Sequence, residues 1–414
     1  MFIRFLSLII VGALLCAGSS WAMPNFARKY GVSCSACHTI VPKLNRDGYE
    51  FRAAGFRYPT DVGIEEQGGN KKNPEATASK KFNLGDTFAA RIQQRYIYSH
   101  TTDPAAAATP MSHDFNFHEF TFYPLTFSWG KYFGSLTEFS LAPDKAFEIE
   151  NAYVRLAIGS ESGWFMAKAG IMHAWEGLGA SDRPVGLNRP LFQSEKATNA
   201  SFKLWSMDEQ AVEAGYHLAT TGTTLLTRFS NGISTTDPAQ GGGFKKAAGT
   251  PDKKSYQFFA NQILGDASAL SLYYYHGAGM APAAAPTDLD TFWRMAVYAN
   301  YFVLPNHLNL LAGYSVGADD HETAAVASSK NKGWFTEADY HFSDDFAMGV
   351  RYETWDPNTQ TDNNAKTAGA LFANYYVTNG LQILGEYRRV STENAGGFAN
   401  KIDDKFEAKA IFIW

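Results

Sequence analysis

The chain has 414 residues, a formal net charge of −5 and an aromatic content of 15%. This near balance of charge argues against a nucleic-acid partner, because proteins that bind nucleic acids carry strongly basic surfaces. Beyond residue 22 no apolar run reaches the ~18 residues that a transmembrane helix requires. Few cysteines (3) together with many glycines (36) and aromatic residues are typical of a membrane β-barrel.

Residues 1–22 are predicted to be a secretory signal peptide. Arg4 gives the positive start, Leu6–Leu15 the apolar stretch and Ser20-Trp21-Ala22 a small-x-small cleavage site. The apolar stretch is too short to span a bilayer as a helix. Cys16 could suggest a lipoprotein, but the leucine before it is larger than the small residue usual in a lipidation signal.

Residues 23–59 form a predicted compact segment around the motif Cys34-Ser35-Ala36-Cys37-His38, whose two cysteines are the only ones after residue 22. Cys-x-x-Cys-His in an exported chain indicates covalent haem c. The thiols of Cys34 and Cys37 add across the haem vinyl groups, and His38 is placed to ligate the iron. A Cys34–Cys37 disulfide is one alternative. A zinc site is another, although it needs four ligands and no second Cys/His pair lies nearby.

The sixth ligand of the iron is left open by the sequence. No Met and no His other than His38 occurs between residues 24 and 99, so the candidates are Met23, a histidine of the following region, or no residue at all. The histidines considered are His100, His113 and His118. Within the segment, Pro42 can open a short helix that carries Leu44 and Phe51 and ends at Gly55.

Residues 60–81 are a predicted polar linker, and residues 82–414 a predicted β-domain with apolar residues at every second position. Sixteen strands are predicted, an even number that places both termini on one side of the membrane. Their ranges are 82–100, 113–129, 131–142, 145–158, 163–175, 207–219, 222–234, 254–264, 267–277, 291–304, 306–318, 332–342, 344–355, 366–378, 380–391 and 402–414.

Short turns alternate with connections that are usually longer, the longest running from Glu176 to Ser206. Short periplasmic turns and long external loops are typical of outer-membrane barrels. We therefore predict a sixteen-stranded antiparallel transmembrane barrel with periplasmic termini. A water-soluble β-sandwich would show a similar alternation of residues but does not account for the difference between turns and loops.

The predicted strands separate apolar from charged faces, with Trp334, Tyr340 and Phe342 opposite Glu337 and Asp339. This indicates lipid outside and a wet lumen inside. Charges facing a water-filled lumen are ordinary wall chemistry of such a barrel, and the alternative is that some of the acidic residues guide a metal cation. The charges assigned to the lumen are Arg91, Arg95, Glu138, Glu213, Arg228, Glu337, Asp339, Arg351, Glu353, Glu386 and Arg388.

The last predicted strand ends on an aromatic residue. Phe406, Phe412 and Trp414 share one face of it. This arrangement resembles the C-terminal signal that the barrel-assembly machinery recognises in outer-membrane proteins.

The segment MPNFARKYGVSCSACHTIVPKLNRDGYEFRAAGFRYP resembles the N-terminus of the fused monohaem cytochrome–porin family, which includes outer-membrane cytochromes of iron-oxidising bacteria. The resemblance implies haem at Cys34 and Cys37 with His38 as proximal ligand. Where the family commonly has Arg after the glycine at position 48, this chain has Tyr49. The matching positions are Pro24, Phe26, Ala27, Arg28, Gly31, Cys34 to His38, Pro42, Leu44, Asn45, Gly48, Phe51 and Gly55.

The resemblance and the predicted barrel together imply electron transfer across the outer membrane. Extracellular Fe(II) would be the donor and a periplasmic c-type cytochrome the acceptor, an iron:cytochrome oxidoreductase type of reaction. About 37 residues around a haem cannot bury a sufficient core alone, so we expect the segment to fold into the lumen from the periplasmic side. The alternatives are outward electron transfer to extracellular metal or mineral, and a transport porin in which the haem is a structural plug.

Overall fold

The structure is a computed structural model and describes most of the chain beyond residue 23. The predicted signal peptide, Met23, residues 63–81 of the predicted linker and the first predicted strand up to residue 86 lie outside the described residues. The described ranges are 24–40, 43–62, 87–106, 109–143, 145–173, 185–198, 200, 209–231, 254–280, 289–305, 307–321, 327–378, 380–394 and 399–414.

The N-terminal segment, defined as residues 24–62, consists of short helices and a two-stranded ladder. Its elements are helix α1 (Pro24–Tyr30), a 3₁₀ turn (Cys34–Ala36), strand β1 (His38–Ile40), strand β2 (Lys43–Leu44), helix α2 (Arg46–Ala53) and a second 3₁₀ turn (Pro59–Asp61). β1 and β2 pair with each other and with no strand of the large sheet.

The rest of the described chain is a closed antiparallel barrel. Strands β4 and β5 both pair with β6, so they are two halves of one bent strand and the described residues form sixteen strands, as predicted. The strands are β3 (Ala89–Thr102), β4 (Met111–Tyr123), β5 (Phe127–Trp129), β6 (Phe133–Ala142), β7 (Lys145–Ser160), β8 (Gly163–Met172), β9 (Glu209–Leu218), β10 (Thr223–Ser230), β11 (Ser255–Leu264), β12 (Ser268–Met280), β13 (Leu289–Leu304), β14 (Leu308–His321), β15 (Ser329–Ser343), β16 (Phe346–Asp356), β17 (Lys366–Thr378), β18 (Leu381–Thr392) and β19 (Lys401–Ile413), with a short helix α3 (Leu191–Ser194) between β8 and β9.

The C-terminal strand closes the barrel by pairing with the first. β19 runs antiparallel to β3 from Ile402, opposite Thr102, to Ile413, opposite Arg91. Trp414 and Ala90 then exchange backbone hydrogen bonds of 2.8 and 3.0 Å. The indole of Trp414 stacks on Phe120 with ring centroids 6.2 Å apart. The aromatic C-terminus therefore lies at the closure itself, where it completes the hydrogen bonding of two strands.

The two faces of the strands are sorted as predicted. On β15 the side chains of Trp334, Tyr340 and Phe342 are 37, 40 and 57% exposed on the outside, whereas Glu337 and Asp339 are 2 and 0% exposed on the inside. The barrel therefore has an apolar outer face and a charged inner face. This is the reverse of a water-soluble protein and suits a barrel surrounded by lipid. Among the described residues, no helix has the length and apolar character needed to cross a bilayer.

The two ends of the barrel differ in their connections. At one end, here called the short-turn end, the connections have at most four residues and lie at 130–132, 161–162, 219–222, 265–267, 305–307, 344–345 and 379–380. At the other, the long-loop end, all but the one between β6 and β7 have seven or more residues. The predicted short turns are thus confirmed.

The N-terminal segment lies in the mouth of the barrel at the short-turn end. The Arg46 backbone N–H donates to Asp266 O at 2.6 Å, and its guanidinium donates to Ala219 O at 2.6 Å. On another side of the mouth, the Arg57 guanidinium donates to the carbonyls of Gly130, Lys131 and Phe133. These arginines donate to carbonyls of the short turns and of the first residue of β6, so the segment is fixed to the rim at separate points.

The segment shares its apolar core with the barrel wall. Its own aromatic cluster, defined as Phe26, Tyr30, Phe51, Phe56 and Tyr58, contains ring pairs with centroids 5.0 to 6.4 Å apart. The cluster packs against inward-facing residues of four consecutive strands, since a segment of this size buries too little apolar surface alone. Those wall residues are Leu136, Tyr153, Met172 and Ala211.

Helix α2 begins later than the sequence predicted. We expected Pro42 to open it and Leu44 to lie within it, but Leu44 belongs to β2 and the helix begins at Arg46. The reason is Asn45, whose side-chain oxygen accepts a hydrogen bond from Gly48 N at 2.9 Å and caps the helix. Gly55 follows the helix with φ +76°, as a terminating glycine should.

A buried ion pair between Lys43 and Asp339 joins the segment to the barrel, and it provides a test of the docking. Lys43 Nζ lies 2.6 Å from Asp339 Oδ2, with the side chains 8 and 0% exposed. Lys43→Ala leaves a buried carboxylate without its cation, which costs about 3–5 kcal/mol. We expect protease to remove residues 24–62 from the purified variant much faster than from the parent chain.

Two further variants control for this prediction. Lys43→Ala combined with Asp339→Asn removes both charges and should recover part of the protection. Lys131→Ala, in an exposed turn, should leave the protection unchanged. Equal protection of Lys43→Ala and the parent chain would contradict the docked position of the segment.

Candidate haem-attachment site

The motif Cys34–His38 forms a tight turn that leads into β1. Cys34–Ala36 is a 3₁₀ turn in which Cys37 N donates to Cys34 O at 3.1 Å. His38 then begins β1, opposite Leu44 of β2. The motif is therefore a folded loop next to α2, with both thiols and the imidazole half-buried.

Asn45 and Gly48 hold this loop against helix α2. The Asn45 amide donates to the carbonyls of Ser35 and Ala36 at 3.3 and 3.2 Å, and Asn45 N donates to Cys37 O at 3.0 Å. At Gly48 a Cβ atom would overlap the Cys37 carbonyl oxygen, so only glycine allows the helix to approach this closely. Asn45 and Gly48, two of the positions that carry the family resemblance, therefore hold the motif loop against α2.

The donor set of the motif, two thiols and one imidazole, has the composition that attaches haem c. Cys34 and Cys37 are not joined by a disulfide. The part of the chain that the structure describes has one group of three or more Cys, His, Asp or Glu ligand atoms within 4.8 Å of one another, and Cys34, Cys37 and His38 are not in it. A zinc ion would require such convergence, whereas thioether bonds and an axial histidine attach to separated points of one haem.

The surroundings of the motif are apolar on the barrel side. Ile40, two residues after the motif, is buried in a cluster with Val185, Ala347, Phe372 and Tyr376. The chain directly after the motif is therefore packed in an apolar part of the barrel interior.

Two tyrosines of the segment carry no charge near neutral pH. Burial raises the pKa of Tyr58, and the nearby Cys37, Asp47 and Asp61 raise it further. Burial also raises the pKa of Tyr49 to about 12, partly offset by Arg52. Tyr49 therefore places a neutral phenol where the family commonly has a positive charge.

The histidines considered as sixth ligand are distributed along the barrel rather than gathered at the motif. His100 and His113 pair near the β3–β4 hairpin, at the long-loop end. His100 lies eleven residues along β3 from Ala89, about 35 Å at ~3.3 Å per residue. His118 lies at an irregularity between β3 and β4, closer to the middle of the wall. Met23 lies outside the described residues.

Other histidines, which were not among the candidates for the sixth ligand, lie at the short-turn end. His217 faces the lumen from β9, is 1% exposed, stacks on Trp164 at 4.6 Å and contacts Thr224 Oγ1 through Nδ1 at 2.8 Å. His341 is paired with Asp339 at 2.6 Å. Only the register of the strands shows which end a histidine occupies, so the sequence could not select these residues.

The connection expected to lie outside the barrel instead folds into it over its described part, residues 185–198 and 200. Three glutamates, which the sequence assigned to the lumen, accept hydrogen bonds from its backbone. The expectation that all of Glu176–Ser206 faces outward is therefore wrong. The donor and acceptor pairs are Val185 N to Glu337 Oε1 at 3.2 Å, Leu187 N to Glu386 Oε2 at 2.7 Å and Leu191 N to Glu353 Oε2 at 2.5 Å.

This inward connection covers one part of the inner barrel wall, so the charged side chains of two parts of the wall differ in their exposure to solvent. On the covered wall, Arg351 lies between Glu337, Glu353 and Glu386 at 3.3 to 3.5 Å, and these side chains are at most 1% exposed. On the wall formed by β3 to β8, here called the open wall, Arg91, Glu119 and Glu138 are 26, 17 and 14% exposed. These three charges of the open wall are therefore more exposed to solvent than the charges around Arg351.

Comparison with known proteins shows the fold class. An anion-selective porin from Comamonas acidovorans is 9% identical with a TM-score of 0.58, over 79% of this chain and 99% of the porin. Pseudomonas putida OprB is 9% identical with a TM-score of 0.56, over 79% and 94%. Vibrio cholerae OmpT, an outer-membrane protein, is 12% identical with a TM-score of 0.52, over 79% and 99%.

At these identities the similarity shows the fold alone, a closed sixteen-stranded barrel like those of outer-membrane porins. No protein-family model matches the sequence, and no curated protein matches it.

The close approach at Gly48 generates a prediction. Gly48→Ala forces α2 away from the Cys37 carbonyl and disturbs the loop that presents the two thiols. We expect covalent haem per chain, measured by haem stain on denaturing gels, to fall several-fold.

Gly369→Ala is the matched control. Gly369 lies on β17 and faces outward, and a Cβ atom there meets nothing within 4 Å. Its haem content should equal that of the parent chain. Full haem content in Gly48→Ala would show that the contact does not position the motif.

Proposed function

We propose that this protein transfers electrons across the bacterial outer membrane through one haem c attached at Cys34 and Cys37, with His38 as proximal ligand. Extracellular Fe(II) is the donor and a periplasmic c-type cytochrome the acceptor. The observation that carries the proposal is the location of the Cys34–His38 motif in a segment docked inside the mouth of a membrane barrel. The resemblance of residues 23–59 to fused cytochrome–porins supports the same function.

The proposed orientation puts the short-turn end, and with it both termini, in the periplasm. Short turns face the periplasm in outer-membrane barrels, and the aromatic C-terminus matches the signal read by the assembly machinery. A periplasmic acceptor then reaches the end of the barrel that holds the motif. An external donor approaches through the lumen from the long-loop end.

Within this proposal the residues of the chain have distinct tasks. Asn45 and Gly48 hold the motif, Lys43 and Arg46 fix the segment to the rim, and the aromatic cluster excludes water on one side. Haem c held there supplies one-electron chemistry between donor and acceptor. The apolar surroundings of the motif would influence the reduction potential of the haem iron, because burial is one of the factors that set this potential.

The double variant Cys34→Ala with Cys37→Ala tests the attachment. It removes both sites of thioether formation, so we expect complete loss of the haem stain on denaturing gels and of the Soret band in the purified protein. A folded barrel should persist, as judged by heat-dependent migration on gels. A full-strength stain in this variant would overturn the assignment.

A transport porin with a structural haem plug is the second candidate, favoured by the porin-like barrel. Deleting residues 23–80 separates the two functions, because that segment fills the mouth and carries the motif. For electron transfer, we expect low conductance of the whole protein in planar bilayers, higher conductance after deletion, and reduction of the whole protein by external Fe(II) in the Soret band. Large currents through the whole protein, together with an unresponsive Soret band, would favour the porin.

A further inference from the structure

Three side chains on the open wall converge at one point of the lumen. Glu138 of β6, Glu150 of β7 and His173, directly after β8, have ligand atoms within 4.8 Å of one another. His173 Nε2 lies 3.9 Å from Glu150 Oε2. We call these residues the Glu–Glu–His group. Three adjacent strands contribute to it, so its geometry is set by the sheet and not by a loop alone.

A β-bulge brings Glu150 into the group. Glu138 pairs with Asn151, whereas the next residue, Phe139, pairs with Ile149, so Glu150 is the extra residue on β7. Asn151 and Tyr153 face inward on one side of this bulge, and Phe147 lies outside on the other, where it stacks on Phe139. Bulges re-aim side chains in this way and recur beside functional sites.

Neighbouring groups orient Glu138. Tyr123 OH donates to its Oε1 at 2.8 Å, and Asn151 Nδ2 donates to its Oε2 at 2.8 Å. Asn151 also accepts a hydrogen bond from His173 N at 3.4 Å, which ties two members of the group together. Protein metal ligands are typically held by such outer hydrogen bonds, which fix the ligand orientation before the ion arrives.

The charge around the group favours a cation. Arg91 is the neighbouring positive group, 3.0 Å from Glu119 and 3.8 Å from Glu138. The single guanidinium of Arg91 does not balance the three carboxylates of Glu119, Glu138 and Glu150, so the net charge of these four groups is negative. Two carboxylates and one imidazole form a donor set that suits Fe(II), Mn(II) and similar divalent ions, with the remaining positions open to water.

We propose that the Glu–Glu–His group binds a divalent cation and is the place where external Fe(II) is held before it gives up its electron. This inference rests on the proposed function for the Fe(II) role but not for cation binding. Its location supports the role: Leu136, Tyr153 and Met172, which pack on the aromatic cluster of the N-terminal segment, are close neighbours in sequence of Glu138, Asn151 and His173. The group thus lies on the solvated wall beside the segment that carries the motif.

The electron balance of the step is simple. Bound Fe(II) would be oxidised to Fe(III) with the loss of one electron, and a ferric haem c held at Cys34 and Cys37 would accept that electron. No proton or bond is exchanged. Fe(III) would then leave through the lumen along the open wall, and the periplasmic acceptor would take the electron from the haem.

Mn(II) is the probe for the site because it binds the same donors and does not reduce haem. We would titrate Mn(II) into the purified complete protein and follow the free ion by electron paramagnetic resonance. Glu150→Gln combined with His173→Gln should weaken binding at least tenfold. Glu407→Gln, which alters a lumen carboxylate of β19 outside the group, should bind Mn(II) as the parent chain does. Each single variant serves as a milder form, with folding judged by heat-dependent gel migration.

Equal Mn(II) affinity in the parent chain and the folded double variant would overturn the site. The Fe(II) role has its own readout, the concentration of Fe(II) that gives half the maximal rate of Soret change. It should rise at least tenfold in the double variant, while reduction by dithionite is unchanged. An unchanged Fe(II) concentration despite lost Mn(II) binding would overturn the role. Mn(II) binding with no reduction by Fe(II), even in the parent chain, would reject the proposed function and leave the cation site standing.

Discussion

The structure depends on one constraint, which is that a chain spanning lipid must satisfy its backbone hydrogen bonds within a closed sheet. Pairing of β19 with β3 meets that constraint and fixes the alternation of every strand. Apolar side chains then predominate on the face toward lipid, and many charged side chains of the strands, such as Glu337, Arg351 and Glu386, face inward. The chemistry of this protein is therefore the chemistry of its lumen, and what fills the lumen decides which charges meet water.

Within the described residues, two parts of the chain lie in the lumen, and each forms hydrogen bonds or ion pairs with polar groups of the closed sheet. The N-terminal segment satisfies turn carbonyls through Arg46 and Arg57 and pairs Lys43 with Asp339. The connection after β8 brings backbone N–H groups to Glu337, Glu353 and Glu386. Buried charges are tolerated only when paired in this way. On the open wall, Arg91, Glu119 and Glu138 stay partly solvated among the described residues and are suited to a mobile ion.

Much of the barrel could be predicted from the sequence, because alternation and short turns are local signals and each of the sixteen strands carries them. The inward path of residues 185–200 could not, because its partners are glutamates more than a hundred residues away. Glu150 was missed because strict alternation places it outside, and only the bulge re-aims it. At the motif, the residue types were readable from the five-residue pattern. The capping by Asn45 was overlooked because Pro42 offered a competing helix start.

The size of the N-terminal segment links the two halves of the molecule. Roughly forty residues cannot build a closed core around a large cofactor, since the buried fraction of surface falls with chain length. The barrel supplies the missing wall through Leu136, Tyr153 and Met172, and the same strands continue to Glu138, Glu150 and His173. One stretch of wall thus completes the core of the motif-bearing segment and carries the converging ligands. The need of a small segment for a borrowed core therefore places the N-terminal segment against the same strands that carry the Glu–Glu–His group.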